Sequence, residues 1–79
     1  MPRFYFDVVS GGSIVSDEEG AELPSLEYAR LEAISDARYL MSQAVLQGYD
    51  VSHKVMRIRN EQGDVAISVL FADTISRPL

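Results

Sequence analysis

Residues 24–48, PSLEYARLEAISDARYLMSQAVLQG, decide the fold, because they predict one long helix in a chain whose other segments are short and strand-like. Ser25 can cap the first free backbone N–H groups with its hydroxyl, and Glu27 suits the positive end of the helix dipole. No proline or glycine interrupts the run until Gly48, which favours the left-handed conformation that ends helices. The pattern therefore predicts a helix over residues 25–47.

One side of this helix collects mostly small apolar side chains at the helical spacing of about 100° per residue. Small side chains let a helix axis lie close to a sheet, so we expect this arc to pack on the strands. The arc consists of Leu26, Ala33, Ala37, Leu40, Met41 and Ala44, widened by Ile34 and Val45.

The opposite side of the helix carries three large side chains, Tyr28, Tyr39 and Leu46, where a solvated face would carry more charge. Isolated exposed apolar residues are normal on soluble proteins and need no explanation. Tyrosine is nonetheless enriched at protein interfaces. We call these three residues the helix back and interpret them as a contact surface, most simply with a second copy of the chain.

The length and composition of the chain exclude several classes of protein. Seventy-nine residues make one small domain, residues 1–79, and so small a core often needs disulfides, a metal or oligomerisation. The chain has no cysteine, so oligomerisation is the remaining source of stability, and we predict a homodimer. The net charge of −5 argues against general attraction to nucleic acid or anionic membranes. Because no apolar run or signal peptide indicates a membrane or secretory route, we predict a cytoplasmic protein.

Two pairs of strands flank the helix. The predicted strands are residues 3–9, 13–16, 54–60 and 64–71, each identified by alternating or apolar runs between turn residues. Ser10-Gly11-Gly12-Ser13 connects the first pair as a hairpin, and Gly63 supplies the turn of the second. Residues 72–79 show no clear periodicity and predict a loose tail.

The element order β-β-α-β-β predicts an α+β fold, with one four-stranded mixed sheet and the long helix packed on one face. The first and fourth strands are the most apolar and should be central. The second is short and the third carries arginines, which suits edges because charge discourages unwanted strand pairing. We therefore predict the strand order 2-1-4-3, with strands 1 and 4 parallel. Tyr5 and Leu70 would lie on the uncovered face, which is a second candidate contact surface.

Two segments with possible binding chemistry are better explained as turns. The glycines of the first hairpin precede a strand, whereas a phosphate-binding loop needs a helix N-terminus directly after it. Residues 17–22 contain four carboxylates that could chelate a hard cation such as calcium, but the ligand spacing of an EF-hand is absent. A solvated turn near the helix N-terminus is the favoured interpretation, and cation binding by residues 17–22 stays open.

Catalytic chemistry finds no support in the pattern of polar residues. His53 is the only histidine, so one chain cannot build a metal site from two imidazoles. Asp50, Ser52 and His53 are the residue types of a triad, but residues this close on an extended segment cannot readily converge. Asp7 and Asp17 could approach across the first hairpin, although a carboxylate pair without a pocket is a weak indication of acid–base chemistry. We predict no enzyme, and no catalytic, cofactor-binding or metal-binding residue.

Nucleic-acid binding is the alternative function. Lys54, Arg57 and Arg59 form a basic edge on an otherwise acidic chain, and small α+β modules bind RNA on sheets that present aromatic residues such as Tyr5. The net charge and the lack of a glycine-rich basic motif argue against it. An RNA- or DNA-associated regulator is therefore the second hypothesis.

Three segments resemble a family of short bacterial proteins: the opening MPRFYFDV, then DEEGAELPSLEYAR, and the late NEQGDVAISVLFAD. Members of that family open Met-Pro-Arg-Tyr-Tyr-Phe-Asp, continue with Asp-Glu-Glu-Gly-x-Glu-Leu-Pro and a long alanine-rich helix, and close on a glycine-turn hairpin. This chain departs in Phe4 and in its less acidic first turn. The family is classed as a domain of unknown function. The resemblance therefore implies a small stand-alone module, without any activity, cofactor or catalytic residue to carry over.

Taken together, the patterns predict a small interaction or structural module without catalysis, which acts as a homodimer and binds another macromolecule. The first candidates for its interface are Tyr28, Tyr39 and Leu46 on the helix back. Tyr5 and Leu70 on the uncovered sheet face are the second. We expect no cofactor and no membrane contact.

Overall fold

A computed structural model describes residues 1–76 of the chain. The elements are β1 (Arg3–Ser10), β2 (Ser13–Val15), β3 (Ala21–Glu22), α1 (Leu26–Leu46), β4 (Val55–Arg59) and β5 (Val65–Leu70), followed by a 3-10 helix (Phe71–Thr74). The α+β class and the single long helix are therefore confirmed. All four predicted strands are present, and β3 is an additional short strand that the sequence did not predict.

The sheet is antiparallel throughout, with the strand order β2-β1-β4-β5 and with β3 pairing with β1 as well. In the numbering of the four predicted strands this order is 2-1-3-4. The predicted mixed order 2-1-4-3, with its parallel central pair, is wrong. The arginine-bearing strand β4 lies inside the sheet, where both of its arginines form ion pairs with Asp7 on β1. The uncharged strand β5 lies at the edge instead.

Helix α1 begins and ends close to the predicted bounds, and its ends carry the expected signals. The Ser25 hydroxyl accepts a hydrogen bond from the Tyr28 N–H at 3.3 Å. Gly48, just beyond the last turn, has a φ of 88°, which is the left-handed region that glycine tolerates best. The helix packs on β4, β5 and the 3-10 helix, so it covers only one part of the sheet.

The core lies between α1 and the strands, and it is small. Among the described residues, the buried hydrophobic side chains are Phe4, Ala29, Ala33, Ala37, Met41, Met56, Ile58 and Phe71. The helix contributes a narrow ridge of three alanines and one methionine, spaced by four residues. Leu26, Leu40 and Val45, which the sequence placed on the packed arc, are therefore left exposed.

The segment after β5 is docked on the helix. Thr74 is buried, and its hydroxyl donates to the Phe71 carbonyl at 2.7 Å. The Arg38 Nε donates to the Thr74 carbonyl, also at 2.7 Å. The loose tail predicted for residues 72–79 thus begins with residues that pack on α1, and residues 77–79 lie outside the described part of the chain.

Candidate interaction surfaces

Asp7 is the centre of an ion network on the open face, which we define as the face of the sheet opposite α1. Its fully buried carboxylate accepts from Arg59 Nε at 2.7 Å and Nη2 at 3.1 Å, and from Arg57 Nη2 at 3.2 Å. The strand register sets Asp7 directly opposite Arg57. The hydrogen bonds from Arg59 outweigh the effect of burial and hold the pKa of Asp7 below its ordinary value of 3.8.

The acidic knuckle, residues 17–22, folds around the Asp17 side chain. Its Oδ1 accepts the N–H groups of Glu19 and Gly20, each at 3.1 Å, and its Oδ2 accepts the N–H of Phe6 in β1 at 3.1 Å. Asp17 therefore covers the outer edge of β1 between the short strands β2 and β3. Within residues 1–76, no group of three or more His, Asp or Glu side chains is placed to hold a metal ion.

Tyr5 is packed by neighbours on the open face and is only partly exposed. The Arg59 guanidinium carbon lies 5.0 Å from the centre of the Tyr5 ring, within the range of a cation–π contact. A Cβ added at Gly20 would lie 2.9 Å from the ring and 2.8 Å from the Phe4 carbonyl, so only glycine fits there. Of the two interface candidates on this face, Tyr5 is therefore built into the fold.

A row of aliphatic side chains crosses the open face at the far end of the sheet. The register places Val9 opposite both Ile14 and Val55, and Val55 opposite Leu70. The outer two members of the row, Ile14 and Leu70, are each 50% exposed. Leu70 is therefore accessible on the uncovered face, as the sequence predicted.

The basic edge predicted from Lys54, Arg57 and Arg59 does not exist as a strip. Both arginines lie on the interior strand β4 and bind Asp7. Lys54 lines a groove of about 280 Å³ that is shared by α1 and the helix side of the sheet, away from the arginines. The edge placement was wrong because the arginines are paired with a carboxylate on the neighbouring strand and are only partly exposed to solvent.

The other polar groups singled out in the sequence make hydrogen bonds within the fold. His53 Nε2 lies 3.2 Å from the Ser10 hydroxyl, while the Asp50 carboxylate accepts the Ser52 N–H at 2.9 Å, so Asp50 and Ser52 form a local turn. Asp7 and Asp17 do come together, but through the Asp17 N–H, which donates to Asp7 Oδ1 at 3.0 Å.

Asp36, on α1, is a titratable group that the sequence did not single out. Burial, together with the carboxylates of Glu32 one turn earlier and of Asp17, raises its pKa from 3.8 to about 6. The spacing of Glu32 and Asp36 by four residues on a helix is the sequence signal that could have indicated this like-charge pair.

The helix back is exposed along its whole length. Tyr28, Tyr39 and Leu46 are 57%, 63% and 79% exposed, so all three present apolar surface to solvent. At its C-terminal end, Leu46 also lines an open groove of about 610 Å³. The apolar lining of that groove further includes Met41, Val45, Val51 and Ile75. The groove depends on the chain segments that return past α1, and sequence periodicity alone could not place it.

Comparisons with known proteins identify the family. The model of a domain of unknown function, DUF6894, matches residues 3–72, and the chain therefore belongs to this family, as the resemblance suggested. The comparison with curated proteins found no match, and neither did the comparison with solved structures. Over the described residues, α1 is too polar to qualify as a membrane-crossing helix.

Proposed function

We propose that this member of the DUF6894 family is a small, non-catalytic, cytoplasmic interaction module that acts as a homodimer and binds another protein through its helix back. The observation that carries the proposal is the continuity between the exposed helix back and the apolar groove beside Leu46. Large exposed apolar surface that borders a concave, apolar groove is typical of protein-binding sites.

The dimensions of this surface suit a protein partner. Residues 28 and 46 are 18 positions apart, which corresponds to about 27 Å along a helix at about 1.5 Å per residue. Two tyrosines supply large side chains of few rotatable bonds, which lose little conformational entropy when they are buried. The groove at the end of the strip can receive one apolar side chain of the partner, as an anchor residue does.

Of the polar groups near the helix back, the two serines oppose docking only weakly, whereas the exposed Glu32 carboxylate, one turn after Tyr28, would have to be paired or desolvated by the partner. The Ser42 hydroxyl donates to the Tyr39 carbonyl at 2.7 Å, so its hydrogen is already bonded within the helix. A partner would therefore not leave that donor without an acceptor on contact. Ser35 is the other small polar residue on this side of α1, and it carries no charge that would have to be desolvated.

We do not propose nucleic-acid binding as a function of this protein. Its sequence basis was a basic edge, whereas Arg57 and Arg59 hold the buried Asp7 carboxylate. If those guanidinium groups bound a phosphate, they would have to share or give up their ion pairs with the buried Asp7 carboxylate. Leaving that carboxylate without partners is costly in free energy.

Site-specific photo-crosslinking in cells that contain the protein tests the proposal. A photoreactive phenylalanine analogue replaces Tyr39 in one variant and Tyr5 in the matched control, since both are tyrosines and both were interface candidates. We expect the variant at position 39 to yield a discrete adduct with another protein, and the control at position 5 to yield none. Adducts from position 5 alone, or from neither position, would contradict the assignment to the helix back.

A further inference from the structure

We propose that the second copy joins at the outer edge of β5, where two β5 strands pair in antiparallel fashion across a two-fold axis. This inference rests on the proposed homodimer, and it leaves the helix back available to the other partner. It would turn two four-stranded main sheets into one continuous sheet that spans both chains.

The edge of β5 carries a bulge at Ala66, where the register with β4 shifts between Ile58 and Arg59, but from Ile67 to Leu70 it has none of the features that usually prevent strand pairing. Its six residues, VAISVL, include no charge, proline or glycine, and the end residues Val65 and Leu70 are 52% and 50% exposed. Within the described residues, β5 pairs only with β4, so one row of its backbone N–H and C=O groups faces outward. Natural sheets commonly protect such an edge with charges, prolines or very short strands.

The opposite edge of the sheet shows that protection clearly. There β2 has three residues and β3 has two, and both pair with β1. In the gap between them, the Asp17 carboxylate binds the Phe6 N–H that a new strand would need. Since the described residues protect the β1 side of the sheet and leave the outer edge of β5 unpaired, pairing through β5 closes at two copies and leaves the protected edge on both outer sides of the joined sheet.

Two β5 strands are complementary to each other. In an antiparallel pair, residues directly opposite share a face, and a two-fold axis normal to the sheet keeps both helices on the same side. If Ser68 lies on this axis, Ile67 opposes Val69 of the partner subunit on the helix side. On the open face, Ala66, which lies at the bulge of β5, comes opposite Leu70 of the partner subunit. Both pairs join apolar side chains, and such cross-strand pairs stabilise sheets by about 0.2–1 kcal/mol each.

The helix adds apolar surface along the same boundary. Arg38 bonds the carbonyl of Thr74, which follows β5, so this flank of α1 faces the β5 side of the sheet. Leu31 and Ile34 precede Arg38 by seven and four residues and therefore lie on the same flank. Leu31 is 51% exposed in the single chain and would approach its counterpart across the axis.

Single-cysteine variants test the pairing directly, because the chain has no cysteine of its own. Ser68→Cys places a thiol at the two-fold axis, whereas Ser13→Cys places one on β2 at the opposite edge. Directly opposed residues have Cβ atoms about 4.5–5.5 Å apart, close enough for a disulfide after a small adjustment. Under mild oxidation we expect most of the Ser68→Cys protein, and little of the Ser13→Cys protein, to migrate as a covalent dimer on a non-reducing gel.

Charge at the same position supplies the second test. In Ser68→Lys two ammonium groups would oppose each other at the axis, and like charges directly opposite destabilise strand pairs. Light scattering should give twice the chain mass of 8.8 kDa for the native protein and for the control Ser13→Lys, and the single mass for Ser68→Lys. Circular dichroism checks that each variant is folded.

Two results would overturn the inference. A native protein that keeps the single-chain mass over a hundredfold concentration range has no homodimer, which also removes that part of the proposed function. A native dimer that survives Ser68→Lys and does not crosslink through Ser68→Cys removes β5 as the contact but leaves the homodimer standing. The photo-crosslinking experiment at Tyr39 does not depend on either of these two results.

Discussion

A carboxylate that is fully buried without partners would be strongly destabilising, and Asp7 avoids this by binding two arginines of the adjacent strand. Its position on β1 is as important as its charge, because the register opposes it to Arg57 and brings Arg59 within 2.7 Å. The same carboxylate accepts the Asp17 N–H, so one side chain joins β1, β4 and the knuckle.

Asp7→Ala should lower the free energy of unfolding at pH 7 by about 3 kcal/mol, the low end for breaking a buried ion pair, because both arginines keep some contact with water. Chemical denaturation measures the change, and the exposed Asp64→Ala should shift stability by no more than about 0.5 kcal/mol. Equal effects from the two variants would contradict the role assigned to Asp7.

The loss of unfolding free energy in Asp7→Ala should depend on pH in a definite direction. The folded-state pKa of Asp7 lies below 3.8, so its contribution to stability is present above the unfolded value and is lost as the pH falls through the folded one. The difference in unfolding free energy between the native protein and Asp7→Ala should therefore shrink below about pH 4.

The effect of Asp36 on stability should depend on pH in the opposite direction to that of Asp7. Its folded-state pKa is raised to about 6, so its ionisation destabilises the fold as the pH rises from about 4 to above 6. Asp36→Asn should therefore raise the melting temperature at pH 7.5 and have little effect at pH 4. Glu32→Gln should give a smaller gain of the same sign, because it removes one neighbouring charge. An Asp36→Asn variant that is less stable than the native protein at pH 7.5 would contradict this.

At the scale of elements, sequence periodicity predicted the helix and the four longer strands, because these patterns are local, whereas the two-residue strand β3 is too short to show one. The strand order was not predicted, because it depends on pairing between distant segments. Arginines on β4 were interpreted as edge protection. The better signal was Asp7 in an apolar strand, with two arginines spaced two residues apart on another strand, since a buried charge requires such partners. The pairing of this one carboxylate with the two arginines would have predicted that β1 lies beside β4.

Edge protection is the main difference between the two sides of the sheet, and Asp17 carries it on the β1 side. Asp17→Ala removes the acceptor for three backbone N–H groups, those of Phe6, Glu19 and Gly20. We expect a loss of about 1–3 kcal/mol in unfolding free energy, measured by urea denaturation. The neighbouring exposed Glu18→Ala should change it by about 0.5 kcal/mol or less. A native-like Asp17→Ala would show that the knuckle does not depend on this side chain.

As a whole, the molecule is thin, with extents of 37, 29 and 17 Å, because one helix covers only part of one sheet face. The exposed helix back could be predicted from helical spacing, which is fixed by geometry. The groove beside Leu46 could not, because it forms where the residues after α1 and after β5 come together. The unpaired edge of β5 could not be predicted either, because it follows from the strand order, which depends on pairing between distant segments.

The central claim, that two chains pair through β5, is tested most directly by amide hydrogen exchange of the native protein in its solution assembly, resolved to single residues. In a paired β5, amides on both sides of the strand are hydrogen-bonded, so we predict protection of consecutive residues from Ile67 to Leu70, where the register with β4 is regular. In an unpaired edge strand only the amides that face β4 are protected. Alternating protection along β5, with every second amide exchanging rapidly, would contradict the claim.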